Sequence, residues 1–391
     1  MTRFTVIIWR SRERERVMIP RNRRIVDLSA IEHNMRLIRN AVPKPVKVLA
    51  VVKADGYGHG AVQTARAAIA GGADMLAVAA VSEGAELREA GIMLPILVLG
   101  AVTAYDVSDG VRYSLTQTVC SPEMAELCEK AAAEQDKQTK VHLKIDTGMG
   151  RIGIRHENER DRILETLRSC PHVQLTGVFT HFSDADGDED GIRYTRKQYE
   201  RFLQMIEPLP KGIIRHCCNS AAIHRFPEMA LDMVRAGISL YGYPPVPDTF
   251  GLVPCMTWKA AVSYVKELDA DASVSYGRKY KSEKPIRTAT VTCGYADGYH
   301  RACWEKGYVL IHGQRAKILG RVCMDQLVAD ISGIENVRPG DEAVLMGKCG
   351  SESITAEDIA GWAGTISYEI LCSSAGRVER VYTESYTERS K

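Results

Sequence analysis

Val46-Lys-Val-Leu-Ala-Val-Val52 is a nearly continuous apolar run, and Lys53-Ala-Asp-Gly-Tyr57 follows it directly. A run without regular polar alternation is typical of a strand buried on both faces, as in a parallel sheet. Counting this run first, eight similar runs occur within about 200 residues, which is typical of a (β/α)8 barrel. The other seven lie at 75–81, 96–100, 116–119, 140–145, 175–180, 213–217 and 232–240.

Helical patterns separate most of these runs. Ser121-Pro-Glu123 marks a helix start, with a capping serine, proline at the first helical position and an acid in the first turn. Ser29 and Glu32 have the spacing of a capping box for an earlier helix. A doubly wound sheet is the alternative fold, but its phosphate loop has a glycine-rich turn after the first strand. The glycines of Gly56-Tyr-Gly-His-Gly60 have the wrong spacing for that turn, so we favour the barrel.

Beyond Tyr241 the pattern changes, with prolines at 244, 245, 247 and 254 followed by alternating strand-like segments. Thr355 and Asp358 have cap spacing for one helix in this region. We therefore predict an α/β fold in which a (β/α)8 TIM-type barrel is followed by a mostly β C-terminal domain. The predicted divisions are a basic N-terminal arm over 1–24, which could join the β domain, the barrel over 25–254 and the β domain over 255–391.

Composition limits the function classes. The chain has 391 residues, 45% of them hydrophobic and 26% charged, and no apolar run long enough to span a membrane, which is typical of a globular protein outside membranes. Eight arginines lie within residues 1–24, but the net charge is only +2 and the body lacks basic stripes, which argues against nucleic-acid binding. The eleven cysteines form no Cys-x-x-Cys pair, so we expect free thiols in a reducing cytoplasm and no metal site.

Polar and reactive side chains follow at least five of the predicted strands. In a barrel the carboxyl ends of the strands meet at one face, and active sites form there. In chain order these groups are Lys53-Ala-Asp-Gly-Tyr57, Lys144 with Asp146-Thr-Gly-Met-Gly-Arg151, His181, Asn219-Ser220 and Arg235-Ala-Gly237.

Lys53 ends an apolar strand, so burial lowers the pKa of its amine and frees the amine for Schiff-base chemistry. Ser220 and Gly237 offer backbone N–H groups to a phosphate. Arg151 and Arg235 can each bind an anion or an aromatic nitrogen. Alone, each of these residues is more often structural, but together they indicate a pyridoxal phosphate site at the barrel mouth.

Nine motifs in register over about 340 residues resemble bacterial alanine racemases, and their number makes the resemblance specific. The motifs are Val51-Val-Lys-Ala-Asp-Gly-Tyr-Gly-His-Gly60, His142-Leu-Lys-Ile-Asp-Thr-Gly-Met-Gly-Arg-Ile-Gly153, Thr180-His-Phe182, Cys218-Asn-Ser-Ala221, Val234-Arg-Ala-Gly-Ile-Ser-Leu-Tyr241, Val274-Ser-Tyr-Gly277, Gly294-Tyr-Ala-Asp-Gly298, Gly320-Arg-Val-Cys-Met-Asp325 and Ile366-Ser-Tyr-Glu369.

The resemblance implies an isomerase that interconverts L-alanine and D-alanine through an external aldimine of pyridoxal 5'-phosphate and supplies D-alanine for peptidoglycan. It also implies a cytoplasmic head-to-tail homodimer whose active sites are shared between the chains. Lys53 would hold the cofactor and act as one base. Tyr276 of the other chain would be the second base, on the opposite face of the α-carbon.

The resemblance assigns the remaining site residues as well. Arg235 would face the pyridine nitrogen, and His181 would support Arg235 and Tyr276. Arg151 would meet the cofactor phenolate and, together with the Met324 N–H, the substrate carboxylate. Lys144 matches a lysine that is carbamylated in many relatives, and Tyr295 would lie at the substrate entrance. The remaining cofactor-binding residues, most of them around the phosphate, would be Tyr57, Asn219, Ser220, Gly237, Ile238 and Tyr368.

Three alternatives stay open. A serine racemase of the glycopeptide-resistance type resembles this family, although Tyr368 would crowd side chains larger than methyl, so serine is expected only as a slow substrate. A non-catalytic pyridoxal phosphate carrier would lack the β domain, and a related decarboxylase would have an acid in place of Arg235. The chain also departs from the family pattern at Asp55-Gly56, where Asn-Ala is more common, and at Ala236, where proline is common.

Overall fold

The computed structural model describes residues 21–373 and 376–384, and the chain divides into two compact units. Among the described residues, the barrel unit comprises 25–256, 365–373 and 382–384, and the β unit comprises 21–24, 257–364 and 376–381. Residues 365–373, which include Tyr368, thus belong to the barrel unit although they follow most of the β unit in sequence. The predicted basic arm lies outside the described residues, apart from its last four.

The barrel unit contains an eight-stranded sheet in which all neighbouring strands are parallel. The first described strand, β1 (Asn22–Asp27), is part of the other sheet, in the β unit. The strands of the barrel sheet are β2 (Lys47–Val51), β3 (Met75–Val78), β4 (Ile96–Ala101), β5 (Thr116–Val119), β6 (Thr139–Lys144), β7 (Val173–Phe179), β8 (Ile214–His216) and β9 (Met233–Ala236).

The order of these strands is β8-β7-β6-β5-β4-β3-β2-β9. The two edge strands meet through backbone bonds, from Asp232 N to Arg215 O at 3.1 Å and from Arg235 N to Cys218 O at 3.0 Å, so the sheet closes. The predicted (β/α)8 barrel is confirmed, and the doubly wound alternative is excluded, because each predicted run overlaps a strand of one closed sheet.

Helices follow most of the strands. They are α1 (Leu28–Ala41), α2 (Lys53–Tyr57), α3 (Ala61–Ala70), α4 (Val81–Glu89), α5 (Ala104–Arg112), α6 (Pro122–Glu134), α7 (Glu157–Arg168), α8 (Glu189–Ile206) and α9 (Ser220–Arg225). Ser121 caps α6 as predicted, accepting from Met124 N at 3.2 Å. The predicted Ser29 cap is wrong: Asp27 caps α1 and accepts from the backbone N–H groups of Ser29 and Ala30, because its carboxylate lies one position before the helix.

The short element α2 is a left-handed turn. Ala54, Asp55, Gly56 and Tyr57 have φ angles of 52°, 51°, 61° and 50°, a region that costs about 1 kcal/mol or more for each residue other than glycine. Two hydrogen bonds join the turn to neighbouring helices: Glu83 of α4 accepts from Ala54 N at 2.6 Å, and Asp55 in the turn accepts from Ala61 N, the first residue of α3, at 2.8 Å. The turn connects Lys53, at the end of a strand, to Tyr57 within four residues.

The β unit is built on a nine-stranded sheet with the path β15-β14-β17-β10-β1-β19, with β13, β16 and β18 attached beside it. Its elements are β10 (Met256–Leu268), β11 (Ser273–Val274), β12 (Tyr280–Lys281), β13 (Ile286–Val291), β14 (Tyr308–Ile311), β15 (Gln314–Lys317), β16 (Leu327–Asp330), β17 (Glu342–Cys349), β18 (Glu352–Ile354), α10 (Ala356–Ala363) and β19 (Glu379–Thr383). The predicted capping pair is present: Thr355 accepts from Asp358 N at 3.1 Å.

The last helix, α11 (Ser367–Cys372), belongs to the barrel unit. Within residues 21–373 and 376–384, no helix combines the length and the apolar character that crossing a membrane requires.

Candidate active site

A cavity of about 340 Å³ opens at the carboxyl ends of the barrel strands. This volume lies within the range of small-molecule sites in proteins. Eleven of the residues that line it were predicted as site residues: Lys53, Tyr57, Lys144, Arg151, His181, Asn219, Ser220, Arg235, Gly237, Ile238 and Tyr368. The lining also includes Phe179 and Cys372, which were not predicted from the sequence.

Lys53 is the first residue of α2, two positions after the end of β2, and lines this cavity. Burial lowers the pKa of its amine, and the positive charge of Arg151 lowers it further. Both causes favour the neutral amine, which is the nucleophilic form. The geometry therefore suits a lysine that bonds covalently to a carbonyl group.

A cradle for an anion forms beside Ser220. Its hydroxyl accepts from Gly237 N at 2.9 Å and from Ser239 N at 3.3 Å, which holds the turn after β9 against the start of α9. A Cβ atom on Gly237 would lie 3.2 Å from the Tyr57 hydroxyl oxygen. This space is open only because residue 237 has no side chain.

Two tyrosines contribute hydroxyl groups near this cradle. The ring centroids of Tyr57 and Tyr368 are 6.2 Å apart, and Tyr57 also packs on Tyr241 with centroids 4.8 Å apart. Burial raises the pKa of Tyr57 and raises the pKa of Tyr368 to about 12. Both hydroxyls therefore stay protonated near neutral pH and can donate hydrogen bonds to a phosphate.

Arg235 is buried inside the barrel, with 3% of its surface exposed. Its guanidinium donates to the carbonyl oxygens of Thr180 at 2.9 Å and Cys217 at 2.8 Å. One Nη lies 3.3 Å from His181 Nδ1 and the other lies 3.1 Å from His216 Nδ1. Burial lowers the pKa of Arg235 to about 10, so the group is still a cation near neutral pH.

Two buried histidines extend this set of contacts and were missed at the sequence level. His216 Nε2 lies 3.0 Å from His142 Nδ1, and the His216 ring stacks on Phe179 with centroids 4.9 Å apart. His142 pairs with Gly177 on the neighbouring strand, where a Cβ would lie 2.5 Å from the imidazole ring. Both histidines lie within predicted barrel strands, and this position is the signal that could have singled out each of them.

Lys144 is buried at the end of β6, and its amine donates to Ile145 O at 2.7 Å. Burial, reinforced by the charge of Arg235, lowers its pKa to about 7. Arg151 lies on the loop that follows. Asp146 shapes that loop by accepting from the backbone N–H groups of Gly148 and Gly150, each at 3.0 Å.

The other predicted site residues, Tyr276, Tyr295 and Met324, belong to the β unit. They are exposed, with 68%, 42% and 52% of their surfaces accessible. The segment 321–325 connects their loops: Ser275 Oγ donates to Arg321 O, Tyr295 N donates to Cys323 O at 3.0 Å, and Ala296 N donates to Met324 O at 2.9 Å. None of the three is among the residues that line the cavity described above.

Two family models match the chain: the alanine racemase N-terminal domain at residues 26–245 and the alanine racemase C-terminal domain at residues 255–382. The alanine racemase of Carboxydothermus hydrogenoformans is 45% identical over 365 residues, which are 91% of this chain and 98% of the relative. That of Desulforamulus reducens is 43% identical over 365 residues, 91% of this chain and 97% of the relative.

Solved structures are similar over the same extent. Alanine racemase from Clostridium difficile 630 has a TM-score of 0.88 and 39% identity, covering 94% of this chain and 97% of that one. The structure of alanine racemase from Bacillus anthracis, which has L-Ala-P bound, has a TM-score of 0.88 and 35% identity, covering 94% of this chain and 96% of that one. The similarity therefore includes both units and is not confined to the barrel.

Proposed function

The chain belongs to the alanine racemase family, whose members interconvert L-alanine and D-alanine with pyridoxal 5'-phosphate, and we propose that it does so with the residues collected around the barrel cavity and a tyrosine of a second chain. The comparisons give no support to the serine racemase alternative. Because they include the β unit, they also disfavour a carrier that resembles the barrel alone.

The observation that carries the proposal is a buried amine and an anion cradle in one cavity. Lys53 would hold the cofactor's aldehyde carbon, Asn219 would also contact the cofactor, and its phosphate would be held by Tyr57, Ser220, Gly237, Ile238 and Tyr368. The open space beside Gly237 fits a phosphate, since a Cβ there would approach both Tyr57 and Ser220. When bound, the cofactor withdraws electrons from the substrate α-carbon and makes its proton removable.

Racemisation needs proton transfer on both faces of the α-carbon, because one base tends to return the proton to the face it came from. Lys53, with its lowered pKa, is the base proposed for one face. Tyr276, exposed on the β unit, is the base proposed for the other face, supplied by a second chain. The site would then be complete only in a head-to-tail homodimer.

Arg235 is proposed to face the pyridine nitrogen. A guanidinium that stays charged disfavours protonation of that nitrogen and so limits electron withdrawal into the ring. With weaker electron withdrawal by the pyridine ring, return of the proton to the α-carbon would be favoured over side reactions such as transamination. His181 would support Arg235 from the side of its Nδ1 atom.

Substrate binding is proposed at Arg151 in the barrel and at Met324 and Tyr295 of the second chain. Arg151 would pair with the alanine carboxylate, joined by the Met324 N–H, and Tyr295 would border the entrance. Lys144 has a pKa of about 7, so a large fraction of its amine is neutral and able to add carbon dioxide. We propose that Lys144 is carbamylated and orients Arg151.

The cellular setting is also a proposal. All eleven cysteines are free thiols, which fits a reducing cytoplasm. There the enzyme would supply D-alanine for cell-wall synthesis.

Two substitutions test the assignment of the bases. Lys53→Ala should abolish racemisation of alanine and the cofactor absorbance near the visible edge, and retained activity would remove Lys53 from its role. Tyr276→Phe should slow solvent-deuterium exchange at the α-carbon of one enantiomer more than the other. Equal slowing of both would contradict two separate bases. Tyr264→Phe is the matched control, since this tyrosine is also exposed on the β unit, at 57%.

A further inference from the structure

Two loops of the β unit, residues 294–298 and 321–325, are bonded edge to edge. Tyr295 N donates to Cys323 O at 3.0 Å, and Ala296 N donates to Met324 O at 2.9 Å. The backbones approach so closely that a Cβ on Gly294 would lie 2.3 Å from Met324 O. The relative positions of Tyr295 and Met324 are therefore set by the backbone.

Arg377 bonds to both loops with one guanidinium. Its Nε donates to Asp297 Oδ1 at 2.7 Å, and one Nη lies 2.7 Å from Asp325 Oδ1. The other Nη lies 3.4 Å from Met324 O. The planar guanidinium directs N–H donors from three separate nitrogens toward these three acceptors, whereas a lysine ammonium has its donors on a single nitrogen and cannot span the same positions.

The Asp297 side of this contact is buried. Asp297 has 1% of its surface exposed, and its second carboxylate oxygen accepts from Gly294 N at 2.9 Å. Asp325 is half-exposed, at 51%. In the pair with Asp297 the carboxylate is buried while the Arg377 side chain is 39% exposed, whereas the pair with Asp325 is exposed on both sides and contributes less.

These contacts fix the direction of one N–H group. In a trans peptide the carbonyl of residue 323 and the N–H of Met324 point in opposite directions. Because Cys323 O faces Tyr295 N, the Met324 N–H faces away from that loop, and it has no acceptor within the described part of the chain. Met324 O is held by Ala296 and Arg377, so both peptide planes around Met324 are constrained.

We propose that Arg377 is a positioning residue for substrate binding, which holds the Met324 N–H and Tyr295 as one rigid element that receives the alanine carboxylate. The inference rests on the substrate contacts in the proposed function. It adds a residue that touches neither substrate nor cofactor and acts through the two loops.

The test is carboxylate affinity in the holoenzyme carrying Arg377→Gln. Propionate, which is alanine without its amine, is titrated by calorimetry, and KM and kcat for L-alanine are measured separately. We expect propionate affinity to fall about 10-fold and KM to rise about 10-fold, with kcat changed by less than about 3-fold, since ground-state positioning is lost. Arg377→Lys should not restore either value, because an ammonium lacks the planar fork.

Arg315→Gln is the matched control. Arg315 pairs with Glu352 at 2.7 Å on the same unit but contacts neither loop, so its loss should leave propionate affinity and KM unchanged. Asp325→Asn, which keeps the pair between Arg377 and Asp297 intact, should raise KM by a smaller factor. If Arg377→Gln does not fold, Arg377→Lys and Asp325→Asn provide the same readouts.

Wild-type propionate affinity and KM in the folded Arg377 variants would overturn the inference, as would a fall in kcat with unchanged propionate affinity. Either outcome leaves the proposed function intact provided that Lys53→Ala is inactive. A Lys53→Ala variant that racemises alanine would instead contradict the proposed function, whatever the Arg377 variants do.

Discussion

The Nδ1 atom of His216 lies 3.1 Å from a guanidinium nitrogen of Arg235, and this contact fixes the tautomers of two buried histidines. A guanidinium can only donate, so His216 Nδ1 accepts and its proton lies on Nε2. That proton is then donated to His142 Nδ1, 3.0 Å away, which leaves the His142 proton on its own Nε2. The hydrogen bonds are therefore donated in one direction, from Arg235 to His216 and from His216 to His142.

The tautomers can be measured. In holoenzyme with ¹⁵N-labelled histidine, both His142 and His216 should show a protonated Nε2 and an unprotonated Nδ1 at neutral pH, because the Arg235 contact dictates it. His142→Gln and His216→Gln assign the two sets of signals. A protonated Nδ1 on either ring would contradict this donor direction and, for His216, its hydrogen bond from Arg235.

The same histidines predict a loss of stability in acid. Burial lowers the pKa of His142 to about 3 and lowers that of His216 well below its usual value. In the unfolded chain both would titrate near 6.5, so below that pH the unfolded state binds more protons than the folded state. Their contribution is complete above about pH 6.5 and is lost as the pH falls, by about 3 kcal/mol per pH unit for two protons.

Denaturant unfolding of the holoenzyme at one protein concentration, at pH 7.5, 6.5 and 5.5, measures this slope. His142→Gln removes one of the two titrating groups, so the slope of the unfolding free energy against pH should fall by about 1.4 kcal/mol per pH unit. His156→Gln, at an exposed position, should leave the slope unchanged. An identical slope in wild type and His142→Gln would show that His142 is not held neutral.

Much of the barrel could be predicted because its signals are local. Buried strands such as Met75–Val78 are short apolar runs, and the cap of α6 lies within three residues of sequence. The left-handed turn at Ala54–Tyr57 could not be predicted, since Glu83 and Ala61 support it from other elements. Helix α5 was also missed, because Asp, Ser and Gly interrupt its apolar pattern.

The residues of the candidate site also divide into those that the sequence could predict and those that it could not. Lys53 and Ser220 follow apolar runs, and Arg235 lies within one. Because the carboxyl ends of barrel strands meet at one face, these positions alone predict that the three side chains lie together. The contact between His142 and His216 joins residues 74 positions apart, and no spacing in the sequence indicates it. Tyr276 and Met324 were assigned only through a family resemblance, and their roles stay a prediction.

Gly237→Ala should weaken cofactor binding. The added Cβ would lie 3.2 Å from the Tyr57 hydroxyl and 3.4 Å from Ser220 Oγ, within the space proposed for the phosphate. We expect the dissociation constant for pyridoxal 5'-phosphate to rise about 10-fold, equivalent to about 1.4 kcal/mol. The measurement is titration of apoenzyme followed by cofactor absorbance.

Gly361→Ala, in helix α10, is the control for that substitution. Nothing lies within 4 Å of the added Cβ, so cofactor affinity should not change. Unchanged affinity in Gly237→Ala as well would remove Gly237 from the proposed phosphate site.

Asp55→Ala should destabilise the turn that joins Lys53 to Tyr57. Its carboxylate accepts from Ala61 N at 2.8 Å, at the start of α3, and such capping contacts contribute about 1 kcal/mol. Asp55→Asn retains an acceptor and should lose less than about 0.5 kcal/mol, mainly from the charge at the helix start. Chemical denaturation of both variants tests the order, and equal losses would mean that the charge, not the hydrogen bond, stabilises the turn.

Subunit exchange tests the shared active site most directly. Lys53→Ala and Tyr276→Phe variants, each deficient alone, are mixed in equal amounts and allowed to exchange chains. Random pairing makes half of the dimers mixed, and each mixed dimer has one intact site of two, so activity should rise to about a quarter of the wild-type value. If chain exchange is verified by mass and activity does not recover, Lys53 and Tyr276 do not act together across two chains.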